Sequence, residues 1–252
     1  MNLLEHFKEK TEKYADHPFL FFYDRTYTYR EFAGHVHRLA NGLAGLGIKK
    51  GDFVHVLVEN SPETLLCYFA IQHLGAVAGP INGWWKGDEV RYLLNDSKGK
   101  ALLIGPQYLE ILDQIRADCQ SLKIVVEVGG SSREGHVPFE PLVEQSPADP
   151  VAVQVGENDP AYIFYTSGTT GEPKGVLLSH KNVVADVTGF QKVLTLPEFL
   201  RIMVFLPLFH VNAMLTSTSS MFRGHAIVLR KKFSASEFWP TVEKYKVNFF
   251  SA

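Results

Sequence analysis

Tyr165-Thr-Ser-Gly-Thr-Thr-Gly-Glu-Pro-Lys-Gly175 is the stretch of this 252-residue sequence that says most about its fold and chemistry. It separates two apolar runs, Ala161–Tyr165 and Val176–Leu178, which predict β-strands. Its last ten residues hold three glycines, four serine or threonine hydroxyls and one lysine. Glycines let backbone amides approach a phosphate closely, hydroxyls donate to its oxygens, and lysine adds a positive charge. The stretch therefore predicts an anion-binding loop, although its composition alone is more typical of an ordinary surface loop.

The spacing excludes two common phosphate-binding motifs. A Walker loop needs Gly-Lys followed by a hydroxyl residue, whereas here Pro173 precedes Lys174 and Gly175 follows it. A dinucleotide fingerprint needs Gly-x-Gly-x-x-Gly at the start of a helix, and this stretch does not contain it. Any phosphate held here is bound by a different kind of loop.

On either side of this stretch, segments with helical periodicity alternate with short β-branched or aromatic runs. This pattern predicts an α/β fold of layered, mostly parallel sheets flanked by helices. Thr28-Tyr-Arg-Glu31 and Ser234-Ala-Ser-Glu237 predict capping boxes at helix starts, and Ser61-Pro62 predicts a third start. Residues 129–150 are rich in Gly, Ser, Pro and acids, which favours a solvated connection. We expect one subdomain over residues 1–150 and a second over 151–252.

Bulk charge indicates no polyanionic partner, because 25 basic and 27 acidic residues leave a net charge of −2. We therefore expect no nucleic-acid partner. Cys67 and Cys119 lie in apolar stretches, which is typical of free thiols in a reducing compartment, so we expect a cytoplasmic protein. The N-terminus lacks the apolar core of a secretory signal. The apolar stretch Leu65–Ile81 is shorter than a bilayer span, and no transmembrane segment is expected.

Thr166–Gly175, with Tyr165 before it and Ser179-His180 after it, resembles the phosphate-binding signature of the adenylate-forming, or AMP-binding, superfamily. This superfamily includes acyl-CoA synthetases, aryl-CoA ligases, luciferases and the adenylation domains of peptide synthetases. The resemblance covers essentially the whole chain, because further segments are similar to the family in order and spacing: Tyr27–Phe32, Leu74–Asn82, Leu206–His210 and Asn248–Ala252.

The resemblance implies an enzyme that activates a carboxylic acid with ATP and Mg²⁺ and transfers the acyl group to coenzyme A. At the matching positions, Lys174 and His210 are the implied catalytic residues, and Thr166 is the implied ligand of Mg²⁺. His210 would lie beside the acyl carboxylate; an ordinary loop histidine is the alternative. The implied phosphate-binding residues are Thr166, Ser167, Gly168, Thr169, Thr170, Gly171 and Lys174.

The substrate class follows from the segment Phe205–Phe222. Members of the family that activate amino acids present an aspartate in this region, whereas here it contains no charged side chain apart from a titratable histidine. An uncharged wall predicts an apolar fatty or aryl acid. Among residues that are less informative, we expect Trp84 and Trp85 to pack in the ordinary way, and Arg230-Lys231-Lys232 to form a solvated turn rather than a coenzyme A contact.

Later motifs of the family would lie beyond Ala252, so we expect the N-terminal portion of an acyl-CoA synthetase without its C-terminal domain. When catalytic groups act as a unit, an enzyme that lacks some of them loses nearly all of its turnover. This portion should therefore be inactive alone. An exposed apolar surface would favour a homo-oligomer. Two other interpretations stay open: a natural half-protein that binds a nucleotide or acyl group and regulates a partner, and an enzyme of other phosphoryl chemistry such as a kinase.

Overall fold

The computed structural model describes residues 1–130, 133–166, 172–193 and 197–250. Within these ranges the chain forms twelve β-strands and nine α-helices. The strands are β1 Pro18–Phe22, β2 Arg25–Thr28, β3 Phe53–Leu57, β4 Val77–Pro80, β5 Ala101–Ile104, β6 Ile124–Glu127, β7 Val137–Pro138, β8 Pro160–Thr166, β9 Lys174–Ser179, β10 Arg201–Val204, β11 Ala226–Leu229 and β12 Phe249–Phe250. The helices are α1 Leu3–Lys13, α2 Tyr29–Gly45, α3 Pro62–His73, α4 Gly87–Asp96, α5 Leu109–Ile115, α6 Phe139–Glu144, α7 His180–Val193, α8 Val211–Arg223 and α9 Ala235–Tyr245.

The strands form two sheets. The seven-stranded sheet has the order β7-β6-β5-β3-β4-β8-β9, and the five-stranded sheet has the order β12-β10-β11-β1-β2. Neighbouring strands are parallel, except that β8/β9 and β1/β2 are antiparallel pairs at one edge of each sheet. The predicted α/β fold with mostly parallel sheets is confirmed.

Five helices lie between the two sheets. On one side α2 contacts β1 and β2 and α8 contacts β10 and β11; on the other side α3 contacts β3 and β4 and α7 contacts β8 and β9, with α1 packed among them. Because successive side chains of a strand point to opposite faces, β5 contributes Ala101 and Leu103 to this central core, and Leu102 and Ile104 to a second core under α4 and α5. Helix α9 covers the outer face of the five-stranded sheet.

Helix α3 runs through the middle of this helix layer, which explains its composition. All of its residues are buried except Glu63, so its apolar side chains surround the helix instead of forming one stripe. The start signal is the predicted one, because Ser61 Oγ accepts from the backbone N–H of Thr64 and Pro62 occupies the first turn.

Of the two predicted capping boxes, one is confirmed and one is wrong. Thr28 Oγ1 accepts from the backbone N–H of Glu31, whose carboxylate accepts from the N–H of Thr28. At the start of α9, Ser234 makes no side-chain cap. The Glu237 carboxylate instead accepts from the guanidinium of Arg230, and such a charge-assisted bond is stronger than one to a neutral amide.

The segment 129–150 was expected to be a solvated connection, and that expectation is wrong for part of it. Strand β7 extends the seven-stranded sheet next to β6, and α6 packs on α2 with Phe139 and Val143 buried. Tertiary contacts stabilise this six-residue helix, which local propensity does not predict. The subdomain boundary stays a prediction: β8 and β9 follow it but join the sheet of β3 to β7, and β1 and β2 precede it but join the sheet of β10 to β12.

No helix in the described ranges combines the length and the apolar character needed to cross a bilayer.

Candidate functional site

The segments singled out in the sequence converge at one edge of the molecule. Strands β4 and β8 are parallel neighbours, with Ala78 beside Tyr162, so the chain leaves both at the same edge of the seven-stranded sheet. From the other sheet, β10 leads to His210, whose ring centroid lies 5.9 Å from that of Trp84 after β4. In α/β proteins, ligands bind outside the carboxyl ends of parallel strands. This edge is therefore the candidate site.

Thr166 and Lys174 lie at the base of the predicted phosphate loop. They are opposite one another in the β8/β9 pair, and directly opposite residues of an antiparallel pair project to the same face. Both residues are exposed. The other predicted phosphate-binding residues lie outside the described residues: Ser167, Gly168, Thr169, Thr170 and Gly171.

Tyr165 ties the base of this hairpin to α4. Its hydroxyl donates to Asp96 Oδ2 over 2.6 Å. Burial, together with that carboxylate, raises the pKa of the Tyr165 hydroxyl well above its usual range, so it remains a donor. A β-carbon at the opposing Gly175 would lie 3.1 Å from Tyr165 Cζ and 3.0 Å from Ile163 Cδ1, so any larger residue there requires these side chains to shift by a few tenths of an ångström. The sequence analysis included Tyr165 in the motif but did not identify Asp96, which is 69 residues away.

His210 is held at the start of α8. Its N–H donates to the Pro207 oxygen and its own oxygen accepts from the N–H of Met214. Partial burial lowers the pKa of the imidazole from its ordinary value, which favours the neutral ring at pH 7. The ring centroid lies 4.5 Å from that of Phe209.

Trp84 completes this aromatic cluster, with its ring centroid 5.4 Å from that of Phe209. Its side chain is 72% exposed, so the expectation of ordinary packing is wrong for this residue. Trp85 does pack as expected, against the core under α4 and α5. Sequence patterns do not separate the two tryptophans, because adjacent residues share the same local signals.

Asn60, which follows β3 and is 5% exposed, is a site residue that the sequence analysis missed. Its Nδ2 donates to the oxygens of Leu206, over 2.9 Å, and of Arg230, over 3.1 Å. Its Oδ1 accepts from the N–H of Leu208 over 2.7 Å. The sequence does show an asparagine between a buried strand and the helix N-cap Ser61. That pattern does not identify its hydrogen-bond partners, which are 146 or more residues away.

A cavity of about 200 Å³ lies along α8, beginning two residues after His210. The uncharged character expected for Phe205–Phe222 applies to that segment, but the cavity as a whole is not uncharged, because Asp186 and Arg223 also line it. Helix α8 lines it with Asn212, Leu215, Thr216, Ser219 and Arg223. The remaining lining residues are Ile202 of β10, Phe249 of β12, Asp186 and Val187 of α7, and His225 in the turn after α8.

Two further observations concern cations. In the described part of the chain, no three His, Cys, Asp or Glu side chains are grouped so that they could hold a metal ion. Arg230 was expected in a solvated turn, and that is wrong: it is 9% exposed, its guanidinium lies 4.0 Å from the ring centroid of Tyr23, and it pairs with Glu237. Lys231 and Lys232 are exposed.

Comparison with known proteins gives consistent matches. The family model described as AMP-binding enzyme matches residues 7–252. The long-chain-fatty-acid–CoA ligase FadD13 of Mycobacterium tuberculosis is 33% identical over 221 residues, which are 87% of this chain and 43% of that protein. The inhibitor-bound N-terminal domain of FACL13 from Mycobacterium tuberculosis superposes with a TM-score of 0.93 at 28% identity, over 100% of this chain and 62% of that one.

The anthranilate CoA ligase AuaEII, in complex with anthranoyl-AMP, superposes with a TM-score of 0.94 at 28% identity, over 99% of this chain and 49% of that one. The chain spans less than half the length of the curated relatives that it matches.

Proposed function

The chain belongs to the AMP-binding enzyme family, and from this we propose that it forms the N-terminal part of an acyl-CoA synthetase that activates a fatty or aryl carboxylic acid with ATP. The observation that carries the proposal is the convergence at one edge of the hairpin base at Thr166 and Lys174, the loop with Trp84, and His210. These are the segments that would have to meet for a triphosphate and an organic acid to react.

The proposed reaction has two steps. A carboxylate oxygen attacks the α-phosphorus of ATP, the bond to the bridging oxygen breaks, and pyrophosphate leaves with that oxygen, giving an acyl-AMP. The sulfur of coenzyme A then attacks the acyl carbon, AMP leaves, and the thiol proton goes to solvent. A carboxylate and a triphosphate repel each other, so the enzyme must neutralise and align them.

Lys174 and Thr166 supply the phosphate end of this alignment. An exposed ammonium opposite an exposed hydroxyl, at the base of a loop, can reach the β- and γ-phosphates together with Ser167, Gly168, Thr169, Thr170 and Gly171. Among the described residues, Thr166 offers one hydroxyl to Mg²⁺, and no group of carboxylates could enclose the ion. This donor set suits a magnesium ion that arrives on the phosphates, where it neutralises charge.

His210 supplies the acyl end. A neutral imidazole presents one N–H and one lone pair, so it can donate to the carboxylate that reacts without adding a buried charge. The cavity along α8 would take the rest of the acid. Val187, Leu215 and Phe249 suit an apolar chain or ring, and Asp186 and Arg223 provide polar positions for a substituent.

Location and assembly are part of the same proposal. A cytoplasmic location is supported by Cys67 and Cys119, which are both buried and free. Self-association is supported by exposed apolar side chains on β9 and around α9, including Leu177 and Trp239.

The decisive experiment is exchange of radiolabelled pyrophosphate into ATP by the full-length protein, with fatty and aryl acids added one at a time. Exchange that depends on a carboxylic acid, followed by acyl-CoA formation when coenzyme A is added, is the expected result. A kinase-like enzyme would phosphorylate an acceptor without this exchange. We expect the 252-residue chain alone to bind nucleotide without turnover; acid-dependent exchange by this chain alone would contradict that expectation.

A further inference from the structure

We propose that Asn60 is a positioning residue for His210: its side-chain amide joins the end of β3 in one sheet to the Leu206–Leu208 backbone after β10 in the other. The inference rests on the proposed function. It adds a residue from a different sheet, more than a hundred positions earlier in the sequence, to the acyl side of the site.

The backbone after β10 needs the partners that Asn60 supplies. Strand β10 ends at Val204, so Leu206 and Leu208 lie beyond the hydrogen bonds of the sheet. Leu208 is 1% exposed, and buried backbone groups without partners are costly. One primary amide can satisfy backbone carbonyls and a backbone N–H at once, because its Nδ2 has two N–H bonds to donate and its Oδ1 accepts. Asn60 therefore matches the two carbonyls and the one N–H that face it.

The position of Leu208 is transmitted to His210 over two residues. The N–H of His210 donates to the Pro207 oxygen over 3.0 Å, which closes a tight turn that contains Leu208, the residue bonded to Asn60. On its other side His210 is the first residue before α8, whose first turn bonds back to it. The imidazole is thus placed between a side-chain anchor and a helix, so displacement of Leu208 displaces the ring.

The third bond of Asn60 makes the anchor specific to this edge. Its Nδ2 also donates to the oxygen of Arg230, the residue after β11, so one amide holds the ends of two neighbouring strands of the five-stranded sheet. The spacing of the two sheets at the candidate site therefore depends on a residue that need not touch ATP or the acid.

The first test uses the 252-residue chain and the variants Asn60→Leu and Asn41→Leu. Asn41 is the control, because its Nδ2 also bonds to backbone carbonyls of distant segments: the oxygens of His37, Pro147 and Asp149 lie within hydrogen-bond distance of it, away from His210. Histidine ring signals are followed by NMR as the pH is varied. Asn60→Leu should move the titration of His210 toward that of a free histidine while buried His55 and His225 stay neutral near pH 6, and Asn41→Leu should leave His210 unchanged.

An unchanged titration of His210 in Asn60→Leu overturns the proposal. If that variant loses its fold, Asn60→Asp replaces it, since a carboxylate keeps the acceptor for Leu208 and loses both donated bonds. Loss of the fold in both variants would assign Asn60 to stability alone and would also overturn the proposal.

The second test measures acid-dependent pyrophosphate exchange in the full-length protein. Asn60→Leu should lower kcat by about 10- to 100-fold, because small misplacements of a positioned group have effects of this size, while KM for ATP is unchanged. Asn41→Leu should alter neither. A wild-type kcat in Asn60→Leu overturns the positioning role. If the wild-type protein shows no exchange, the proposed function fails, and the histidine titration still decides the role of Asn60.

Discussion

The two loops that meet at the candidate site are held in different ways. The hairpin base with Thr166 and Lys174 is exposed, and Tyr165 ties it to α4 through a bond to Asp96 that lies at the surface. The segment leading to His210 is tied through the buried amide of Asn60 to the ends of two strands. The difference matches what each loop is proposed to do. The hairpin base must offer an available charge to a hydrated triphosphate, whereas the neutral imidazole of His210 acts on the acid through its fixed position.

The largest expected effect is the loss of stability in acid, which tests whether both sides of the site share one cooperative core. His180 follows β9 and His225 precedes β11, so both sheets have a buried histidine next to a strand near the site. Burial lowers the pKa of each to about 4, as it does for His55 and His73. Between pH 6.5 and 4 the unfolded chain therefore binds more protons, and stability is lost as the pH falls through this range.

At pH 5 the loss should be about 2 kcal/mol for each such histidine relative to pH 7, as an order of magnitude. Urea unfolding at the two pH values, followed by fluorescence and by circular dichroism, measures it. One coincident transition is expected. Two separate transitions would show that the sheets unfold independently, and an unchanged midpoint would contradict the burial argument.

The next effect concerns the exposed side of the site. Lys174→Ala in the full-length protein should lower kcat/KM for acid-dependent pyrophosphate exchange by about 100- to 1,000-fold, the usual loss when one group that stabilises transition-state charge is removed. The fold should be unaffected because Lys174 is exposed. Lys181→Ala is the matched control: it removes the same charge from the nearby α7, where Lys181 pairs with Glu157 at the surface. Equal losses of kcat/KM in the two variants would show that the loss reflects the change in net charge and not the position of Lys174.

Gly175→Ala tests the close approach at the hairpin base. The added methyl group must displace the side chains of Tyr165 and Ile163, which should cost about 1–3 kcal/mol of stability. Gly34→Ala in α2 is the control, because a β-carbon there meets nothing within 4 Å and should stabilise the helix by about 0.5–1 kcal/mol. Urea denaturation of both variants gives the difference. A neutral Gly175→Ala would mean that Tyr165 moves aside freely.

The smallest effect is expected from Tyr165→Phe, which removes the bond to Asp96 and keeps the ring over Gly175. The stability loss should be about 0.5–1.5 kcal/mol, the usual value of one hydrogen bond. Tyr92→Phe serves as the control, because it removes a tyrosine hydroxyl from α4, the helix that carries Asp96. If Tyr165→Phe destabilised the chain more than Gly175→Ala, the base of the hairpin would depend on the hydroxyl more than on ring packing.

Local signals predicted much of the fold because they depend on neighbours in the sequence. The capping box at Thr28 and the Ser61-Pro62 helix start are made within four residues, and both form as expected. The same type of signal failed at Ser234, where Arg230 competes for the Glu237 carboxylate. It also missed α6, whose apolar side chains become buried through tertiary contacts, chiefly with α2.

The sequence by itself determined the α/β class, the parallel character of the sheets and the family, because hydrophobic periodicity and a ten-residue motif are written locally. Only the tertiary structure decided which residues support the site. The partners of Asn60 and Tyr165 lie 146 and 69 residues away, and Trp84 reaches His210 from the other sheet. Such contacts depend on how two sheets pack across a helix layer, and that geometry is set by the whole core, not by any single segment.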